Sequence, residues 1–496
     1  MDALLLLRWQ FAITTVYHFI LVPITIGLAP LVAIMQTKWL KSGDAKWLKL
    51  SEFFGKILII NFALGVATGI VQEFQFGMGW SEYSRYVGDI FGAPLAFEAL
   101  LAFFLESTFL GIWIFGRGRV TPKVHTAAIW LFAIGSDISA LFILAANSFM
   151  QNPVGTFFNP ETGRAELDGM GGFLKVIFSP TSMYAFFHTF AASLLVAGSL
   201  ITAIALWWVV RNVKSGNISE AKELWKPAAR FGLVTMLIGS IAVIGTGHFA
   251  GQHIMEVQPT KMSAAMGVFD TEEAVPLGLI YTGGENVVTL PIPGIESLMA
   301  TNHLSGPESA IEGTNDLQQQ FTEKFAEVYG TDVNYIPNIA LTFYSFRAMM
   351  GFGFISLILS IIGLVAIKGD KLPQSTGMAR VFIWTVPLPI IASTFGWILA
   401  ESGRQPWVVY PNFPVEGDLP GGEMVQQLTM YGVSQTVPTV QVVLSLAIFT
   451  LLYLALGVVW FMLVKRYAQE GIDPSKEINT EVIDDSVNDA KLSFAY

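Results

Sequence analysis

The stretch Leu95–Trp113, LAFEALLAFFLESTFLGIW, decides the fold class of this chain. As an α-helix rising about 1.5 Å per residue, it is long enough to cross the apolar core of a bilayer. It carries two carboxylates, Glu98 and Glu106. A uniform α-helix places them roughly 12 Å apart along its axis and about 80° apart around it, so both face one interior site at different depths. Because an uncompensated carboxylate at this depth costs several kcal/mol, we expect a partner, a cofactor or trapped water opposite this helix.

The composition indicates a polytopic all-α membrane protein. Of the 496 residues, 53% are hydrophobic and 13% are charged, whereas soluble domains carry about 25% charged residues. The absence of cysteine excludes disulfides, iron–sulfur clusters, thiolate metal sites and covalently attached c-type haem, so a metal here must use His, Met or carboxylate ligands. The net charge of -10 comes mainly from one long loop and the tail, and it gives no indication of nucleic-acid binding. The N-terminal apolar run predicts a retained helix rather than a signal peptide.

Blocks of apolar residues predict the membrane topology. The nine expected helices span residues 11–35, 52–77, 95–115, 124–149, 183–210, 231–249, 338–367, 381–400 and 440–465. Lys and Arg concentrate after helices 1, 3, 5 and 7 and at the start of the tail, so the positive-inside rule predicts an external N-terminus and a cytoplasmic C-terminus. The predicted organisation is therefore six helices in residues 1–249, an external loop 250–337, three helices in 338–465 and a cytoplasmic acidic tail 466–496. The external loop contains a turn signal at Gly283-Gly284 and an amphipathic helix near Leu317 to Tyr329.

Five side chains form one layer in the outer half of the membrane in this topology: His18, Glu98, His188, Met349 and Glu401. Taken singly, an intramembrane histidine is most often a hydrogen-bond donor between helices, and a methionine on an apolar face is most often packing. Haem ligation is the alternative for His188, because the small residues one turn on would let a flat macrocycle approach, with Met349 as the second axial ligand.

Two arginines in or beside this layer need anionic partners. Arg347 has no acid nearby on its own helix, so a haem propionate or a carboxylate from another helix must satisfy it. In ESGRQPW, the simplest interpretation is an interfacial cap in which Glu401 pairs with Arg404 at i+3, flanked by Trp397 and Trp407.

Six segments together resemble one protein family. They are RWQFAITTVYHFILVPITIGL, FGAPLAFEALLAFFLESTF, SALFILAANSFMQNPVG, FFHTFAASL, FYSFRAMMGFG and ESGRQPW. These segments resemble subunit I of the bacterial cytochrome bd quinol oxidases, and the brief external loop resembles the short-loop type. The resemblance implies a multi-pass subunit of the bacterial cytoplasmic membrane that oxidises quinol and reduces O2. It also implies a low-spin haem b, a high-spin haem b, a haem d, no copper, a second membrane subunit (subunit II) and candidate small single-helix subunits.

The same resemblance implies roles for individual residues. His188 and Met349 would be the axial pair of the low-spin haem b. His18 and Glu401 would serve the two high-spin haems, with Glu98 beside them, and the resemblance leaves open which haem takes which ligand. Three residues resemble those that hold propionates and the contact between haems: Arg347, Trp397 and Arg404. Three others resemble a proton route from the cytoplasm: Glu106, Ser107 and Ser139.

The quinol segment shows one departure from the family. EVQPTKMSAAMG in the outer loop places Lys261 at the position of the family's quinol-site lysine, but Met266 stands where family members often have a glutamate. Glu256 and Asp270 are the alternative proton acceptors. Ubiquinol and menaquinol both remain alternatives as the donor, and Asp137 is an intramembrane acid without an assigned role.

Two other functions compete with this prediction. A proton-coupled secondary transporter would use Glu98, Glu106 and Asp137 as coupling carboxylates, but it predicts inverted internal repeats, and none is detectable. A catalytically silent anchor subunit would hold a b-type haem only. Haem counting separates the three, with none expected for a transporter, one for an anchor and three for the oxidase.

Overall fold

The computed structural model describes residues 3–412 and 424–472. Within that part of the chain, nine helical spans are long and apolar enough to cross a membrane, which confirms the predicted number. Their helices are α1 (Ala3–Ser42), α2 (Ala45–Met78), α4 (Gly88–Phe97) continuing into α5 (Phe103–Phe115), α6 (Pro122–Gln151), α7 (Gly169–Ile177) with α8 (Pro180–Lys214), α9 (Ile218–Glu220) with α10 (Lys226–Val257), α14 (Ile339–Ala366), α15 (Thr376–Trp384) with α16 (Pro387–Ser402), and α18 (Thr439–Glu470).

The remaining elements are short and connect these spans. They are α3 (Ser81–Tyr86), β1 (Thr156–Asn159), β2 (Arg164–Leu167), α11 (Pro259–Met266), β3 (Gly278–Gly283), β4 (Asn286–Thr289), α12 (Ile295–Thr301), a 3₁₀ turn (Pro307–Ser309), α13 (Thr314–Tyr329), β5 (Trp407–Val409), β6 (Gln427–Leu428) and α17 (Thr429–Gly432). The strands form three two-stranded antiparallel pairs, β1 with β2, β3 with β4, and β5 with β6.

Helices α1 and α8 lie at the centre of the bundle, and close approach of backbones explains how they pack. A Cβ added at Gly27 of α1 would lie 2.0 Å from the Ser193 carbonyl oxygen of α8, and one added at Gly198 of α8 would lie 2.6 Å from the Met236 nitrogen of α10. Without a hydrophobic driving force between helices in lipid, such small-residue contacts are what let helices associate. The bundle therefore rests on glycine positions that the hydropathy pattern does not reveal.

The two-carboxylate helix is not a uniform α-helix. A π-helical turn over Glu98–Ala102 separates α4 from α5. A π turn inserts about one extra residue into the helix. The eight residues between Glu98 and Glu106 therefore turn the helix by about as much as seven α-helical residues would, which corresponds to about 20° between the two side chains around the axis. The predicted angle of about 80° assumed a uniform α-helix, which the π turn interrupts, and the side chains of both carboxylates contact α6.

The loop over residues 250–337, which is predicted to be external and is called the outer loop below, is folded in the described structure. Gly283 and Gly284, both with positive φ, form the turn between β3 and β4, as predicted. The predicted amphipathic helix is confirmed as α13, whose Leu317, Phe321 and Phe325 are buried. Helix α10 runs to Val257, eight residues beyond the predicted end at 249. The structure includes residues 466–472 of the predicted tail; residues 473–496 lie outside the described residues.

Candidate functional site

The two intramembrane histidines have similar hydrogen bonds. His18 on α1 contacts Thr68 of α2, with 2.9 Å between Nδ1 and Oγ1. His188 on α8 contacts Thr246 of α10, with 3.1 Å between the same two atoms. Both side-chain hydrogen bonds use Nδ1, and no side chain in the described part of the chain hydrogen-bonds to Nε2 of either ring, so that nitrogen remains available to a ligand.

Met349 lies at a close helix contact. A Cβ added at Gly396 of α16 would lie 3.0 Å from the Met349 Sδ on α14. Helix α10 packs against both α8, which carries His188, and α14, which carries Met349. The bundle therefore places the predicted axial pair on two helices that share one neighbour.

Glu401 lies at the centre of a polar network. Its Oε2 accepts from Arg404 Nη2 at 2.5 Å, so the ion pair at i+3 is confirmed. Its Oε1 accepts from Asn147 Nδ2 of α6 at 2.7 Å, and Gln151 Nε2 is 3.4 Å away. Lys261 completes the network, because its Nζ donates to Gln151 Oε1 at 2.6 Å.

Lys261 is therefore buried rather than displayed on the loop surface. Its side chain packs on Gly403, and the residue is 2% exposed. The pKa of Lys261 is lowered to about 7, chiefly by burial and less by Arg404, with Glu401 opposing the shift.

Three buried N–H donors in or beside the ESGRQPW segment have no protein partner among the described residues. They are Trp397 Nε1, Arg404 Nε and Trp407 Nε1. The Trp397 ring stacks on Phe19, with 5.1 Å between centroids, and so lies close to the residue that follows His18. Unpaired buried donors are costly, so an anionic group bound here would stabilise them.

Arg347 has partners that the sequence did not predict individually. Its Nη2 pairs with Glu296 Oε1 at 2.6 Å, its Nε donates to the Gly278 carbonyl at 2.9 Å, and its other donors reach the carbonyls of Ala265 and Met266. Of the two predicted partners, the structure provides the carboxylate from another segment. Arg347 thus attaches the outer loop to α14, two residues before Met349, and its propionate role stays a prediction.

Glu296 is the functional candidate that sequence reasoning missed. The residue is fully buried, its Oε1 also accepts from the Gly278 N–H at 3.1 Å, and its Oε2 has no partner among the described residues. Burial raises the pKa of Glu296 to about 7, although Arg347 and the Gly278 N–H lower it. The only available signal was an acid among apolar residues in the segment GIESLMA.

The two membrane carboxylates both face α6. Glu98 Oε1 accepts from Ser139 Oγ at 2.8 Å. Glu106 is buried, and a Cβ added at Gly135 would lie 3.3 Å from its Cγ, so the contacts lie four residues apart on α6. Ser107, in contrast, is exposed and donates to its own helix at the Phe104 carbonyl. The structure brings Glu98 and Ser139 together and places Ser107 apart from them.

The other sequence candidates occupy different positions. Glu256 is exposed, with its Oε2 3.9 Å from His253 Nδ1. Asp270 accepts from Asn315 Nδ2 at 3.1 Å in the outer loop. Met266 is buried in the apolar cluster under that loop. Asp137 has one buried oxygen without a partner among the described residues.

These donors fit iron porphyrins as ligands. A porphyrin supplies four nitrogen ligands, so the protein need supply only one or two, such as a histidine Nε2, a methionine sulfur or a carboxylate. His18, His188, Met349 and Glu401 are of these types, and the unpaired donors of Trp397 and Arg404 suit propionates.

Comparisons with known proteins identify the family of this chain. Residues 6–472 match the family described as cytochrome bd terminal oxidase subunit I. The chain belongs to this family. It is 36% identical over 480 residues to the cytochrome bd ubiquinol oxidase subunit 1 of Bacillus subtilis, covering 95% of each chain. It is also 36% identical over 488 residues to the cytochrome bd-II ubiquinol oxidase subunit 1 of Escherichia coli, covering 86% of this chain and 92% of the relative. The solved bd oxidase of Geobacillus thermodenitrificans matches with a TM-score of 0.78 at 26% identity, covering 95% of this chain and 99% of that one.

Membership of the family establishes the class of protein. The chain is a multi-pass membrane subunit of a haem-containing terminal quinol oxidase, and a second subunit is its partner. This result decides against the transporter alternative.

The ion pair under the outer loop gives a first prediction. Glu296→Gln is expected to loosen the docking of the loop on α14, because breaking a buried ion pair by removing one partner costs about 3–5 kcal/mol. Hydrogen exchange of α11 and α12 should accelerate in the purified complex. The matched control is Glu308→Gln, whose carboxylate pairs with His303 at 2.9 Å but is 77% exposed, and it should leave exchange unchanged. Equal exchange in both variants would show that the buried pair does not hold the loop.

Proposed function

We propose that this chain oxidises quinol at the outer face of the bacterial cytoplasmic membrane and supports reduction of O2 to water with protons drawn from the cytoplasm. The observation that carries the proposal is that His18 and His188 each leave Nε2 without a side-chain partner among the described residues, inside an apolar bundle. When bound, a low-spin haem b, a high-spin haem b and a haem d would carry the electrons and reduce O2. The assembly partner is subunit II, with small single-helix subunits as further candidates.

The residues of the outer layer would position these groups. His188 and Met349 would hold the low-spin haem b, and His18, Glu401 and Glu98 would serve the two high-spin haems. Trp397 Nε1 and Arg404 Nε would donate to propionates, since both are buried and have no partner among the described residues.

The proposed orientation of the chain in the membrane is based on the distribution of Lys and Arg among the connections between helices. Connections rich in Lys and Arg would face the cytoplasm. The N-terminus, the outer loop and the layer of candidate haem ligands would then lie toward the external side. Glu106, deeper in the membrane, would accept protons from the cytoplasm, and the Glu98–Ser139 pair would lie further along the same route. Quinol would release its protons outside, so turnover would generate a proton-motive force without a pump.

The quinol site would use the outer loop. Lys261 has its pKa lowered to about 7 and lies in the network of Glu401. Glu256 and Glu296 are the candidate proton acceptors; Glu256 is exposed, and Glu296 is buried and shares the Arg347 guanidinium with the Met266 carbonyl.

Counting haems tests the proposal. The complex with subunit II, purified from cells with ample haem supply, should yield two haems b and one haem d per chain by the pyridine haemochrome method, with a chlorin absorption band. A b-type haem alone would indicate the anchor subunit, and colourless protein would refute the proposal.

The quinol site gives a second prediction. Lys261→Ala should lower quinol turnover about tenfold, a loss of about 1.4 kcal/mol of transition-state stabilisation, because the amine beside the network is lost. Oxidation of an artificial one-electron donor that bypasses the loop should not change. Lys324→Ala removes an exposed lysine of the same loop and is the control. Equal loss with both donors would count against a quinol site at Lys261.

A further inference from the structure

Each of the two candidate haem histidines contacts a threonine followed by a glycine on the next membrane helix. Thr68-Gly69 on α2 lies against His18, and Thr246-Gly247 on α10 lies against His188. In both cases the histidine helix and the Thr-Gly helix are consecutive spans of the chain.

The threonines determine which ring nitrogen carries the proton. The hydroxyl of Thr68 donates to the Leu64 carbonyl at 2.9 Å, and that of Thr246 donates to the Ala242 carbonyl at 2.8 Å. While its single hydrogen is used in the bond to that carbonyl, each Oγ1 can only accept from the histidine. The ring must then carry its hydrogen on Nδ1, which leaves a lone pair on Nε2.

The glycines determine how closely each ring approaches the neighbouring backbone. A Cβ added at Gly69 would lie 3.1 Å from His18 Cε1, and one added at Gly247 would lie 3.0 Å from His188 Cε1. Such contacts are tighter than ordinary van der Waals packing, so any larger residue would push the ring aside.

The other four histidines of the chain lack this arrangement. In each of them Nε2 already contacts a protein oxygen: His125 with the Trp113 carbonyl at 2.8 Å, His248 with Asn302 Oδ1 at 3.0 Å, His253 with Thr181 Oγ1 at 2.7 Å and His303 with Glu308 Oε2 at 2.9 Å. Only the two histidines with a Thr-Gly pair present a free Nε2 within the described structure.

We propose that Thr68-Gly69 and Thr246-Gly247 are positioning pairs that hold His18 and His188 as the Nδ1-protonated tautomer, with Nε2 presented to haem iron. The inference rests on the proposed function, since it takes both histidines as haem ligands. A hydrogen bond to the far nitrogen of a ligating histidine orients the ring and raises its basicity, and its loss typically weakens metal binding 10–100-fold.

Paired variants of the purified two-subunit complex test the proposal. Thr246→Val keeps the shape but removes the acceptor, so it should weaken retention of the low-spin haem b about tenfold on dialysis and raise its midpoint potential, because a less basic imidazole stabilises the ferric state less. Thr246→Ser should restore both values.

Thr68→Val should affect a high-spin haem and leave the low-spin spectrum unchanged. Gly247→Ala should alter the low-spin electron paramagnetic resonance signal by turning the ring.

The control is Thr235→Val on the same helix. Thr235 is buried and makes the same bond to its own helix, at the Phe231 carbonyl, but contacts no histidine. It should leave every haem signal unchanged. If Thr246→Val matched the wild type, or lost all haems equally with Thr235→Val, the positioning role would be refuted. If His188→Ala and His18→Ala also kept all haem signals, the proposed ligands themselves would be wrong.

Discussion

Replacing His188 with alanine is expected to remove the low-spin haem b and to lower quinol-dependent oxygen consumption about 100-fold or more, while the chlorin band remains. Nε2 of His188 has no side-chain partner among the described residues and lies within an apolar bundle, whereas alanine provides no ligand at all. In the proposed function the low-spin haem b would receive the electrons from quinol, so its loss would stop quinol-dependent turnover. The reduced-minus-oxidised spectrum and the haemochrome ratio of haem b to haem d measure the result directly.

Methionine variants supply the matched comparison for this prediction. Met349→Ala should convert the low-spin signal to high-spin or remove it, since Met349 is the proposed second axial ligand. Met350→Ala, one residue on and in the same apolar cluster, should leave the spectrum intact. An unchanged low-spin signal in both His188→Ala and Met349→Ala would eliminate this axial pair.

Replacing Glu106 with glutamine is expected to slow the reaction of the reduced complex with O2 about 100-fold while haem content stays normal. Glu106 is buried against α6 and is not a proposed ligand, so its loss removes a proton carrier without releasing a haem. Proton transfer by a positioned side chain typically contributes 10²–10⁴-fold to rate, and glutamine of nearly the same size cannot carry the proton. Stopped-flow measurement of haem oxidation reports the rate.

The control for Glu106→Gln replaces a carboxylate that lies outside the proposed proton route. Glu470 ends α18, pairs with Arg466 at 2.7 Å and is half exposed, so Glu470→Gln should change the rate less than about twofold. Normal oxygen turnover in Glu106→Gln would remove the proton-carrier role.

Much of the fold was predictable because it depends on local composition. Runs of apolar residues identified all nine spans, since every backbone polar group in lipid must be satisfied within a helix. The amphipathic period identified α13, and the Gly283-Gly284 pair identified the turn between β3 and β4. The i+3 spacing of Glu401 and Arg404 identified their ion pair.

The parts that escaped prediction depend on contacts between distant segments. The π turn at Glu98–Ala102 changes the angle between two carboxylates, and no periodicity in an apolar run marks it. Lys261 belongs to a loop by sequence but is buried against Gly403. Glu296 meets Arg347 from a segment 51 residues earlier, and spacing along one helix cannot reveal such a pair.

By itself, the sequence determined the membrane class, the number of spans and the residue types able to hold haem, because hydropathy and the absence of cysteine are properties of the chain alone. Only the tertiary structure decided which nitrogen of each histidine stays free and which loop acid neutralises Arg347. Both depend on atoms a few ångströms apart that belong to different helices or loops, and their positions follow from how glycines and small residues let those helices meet.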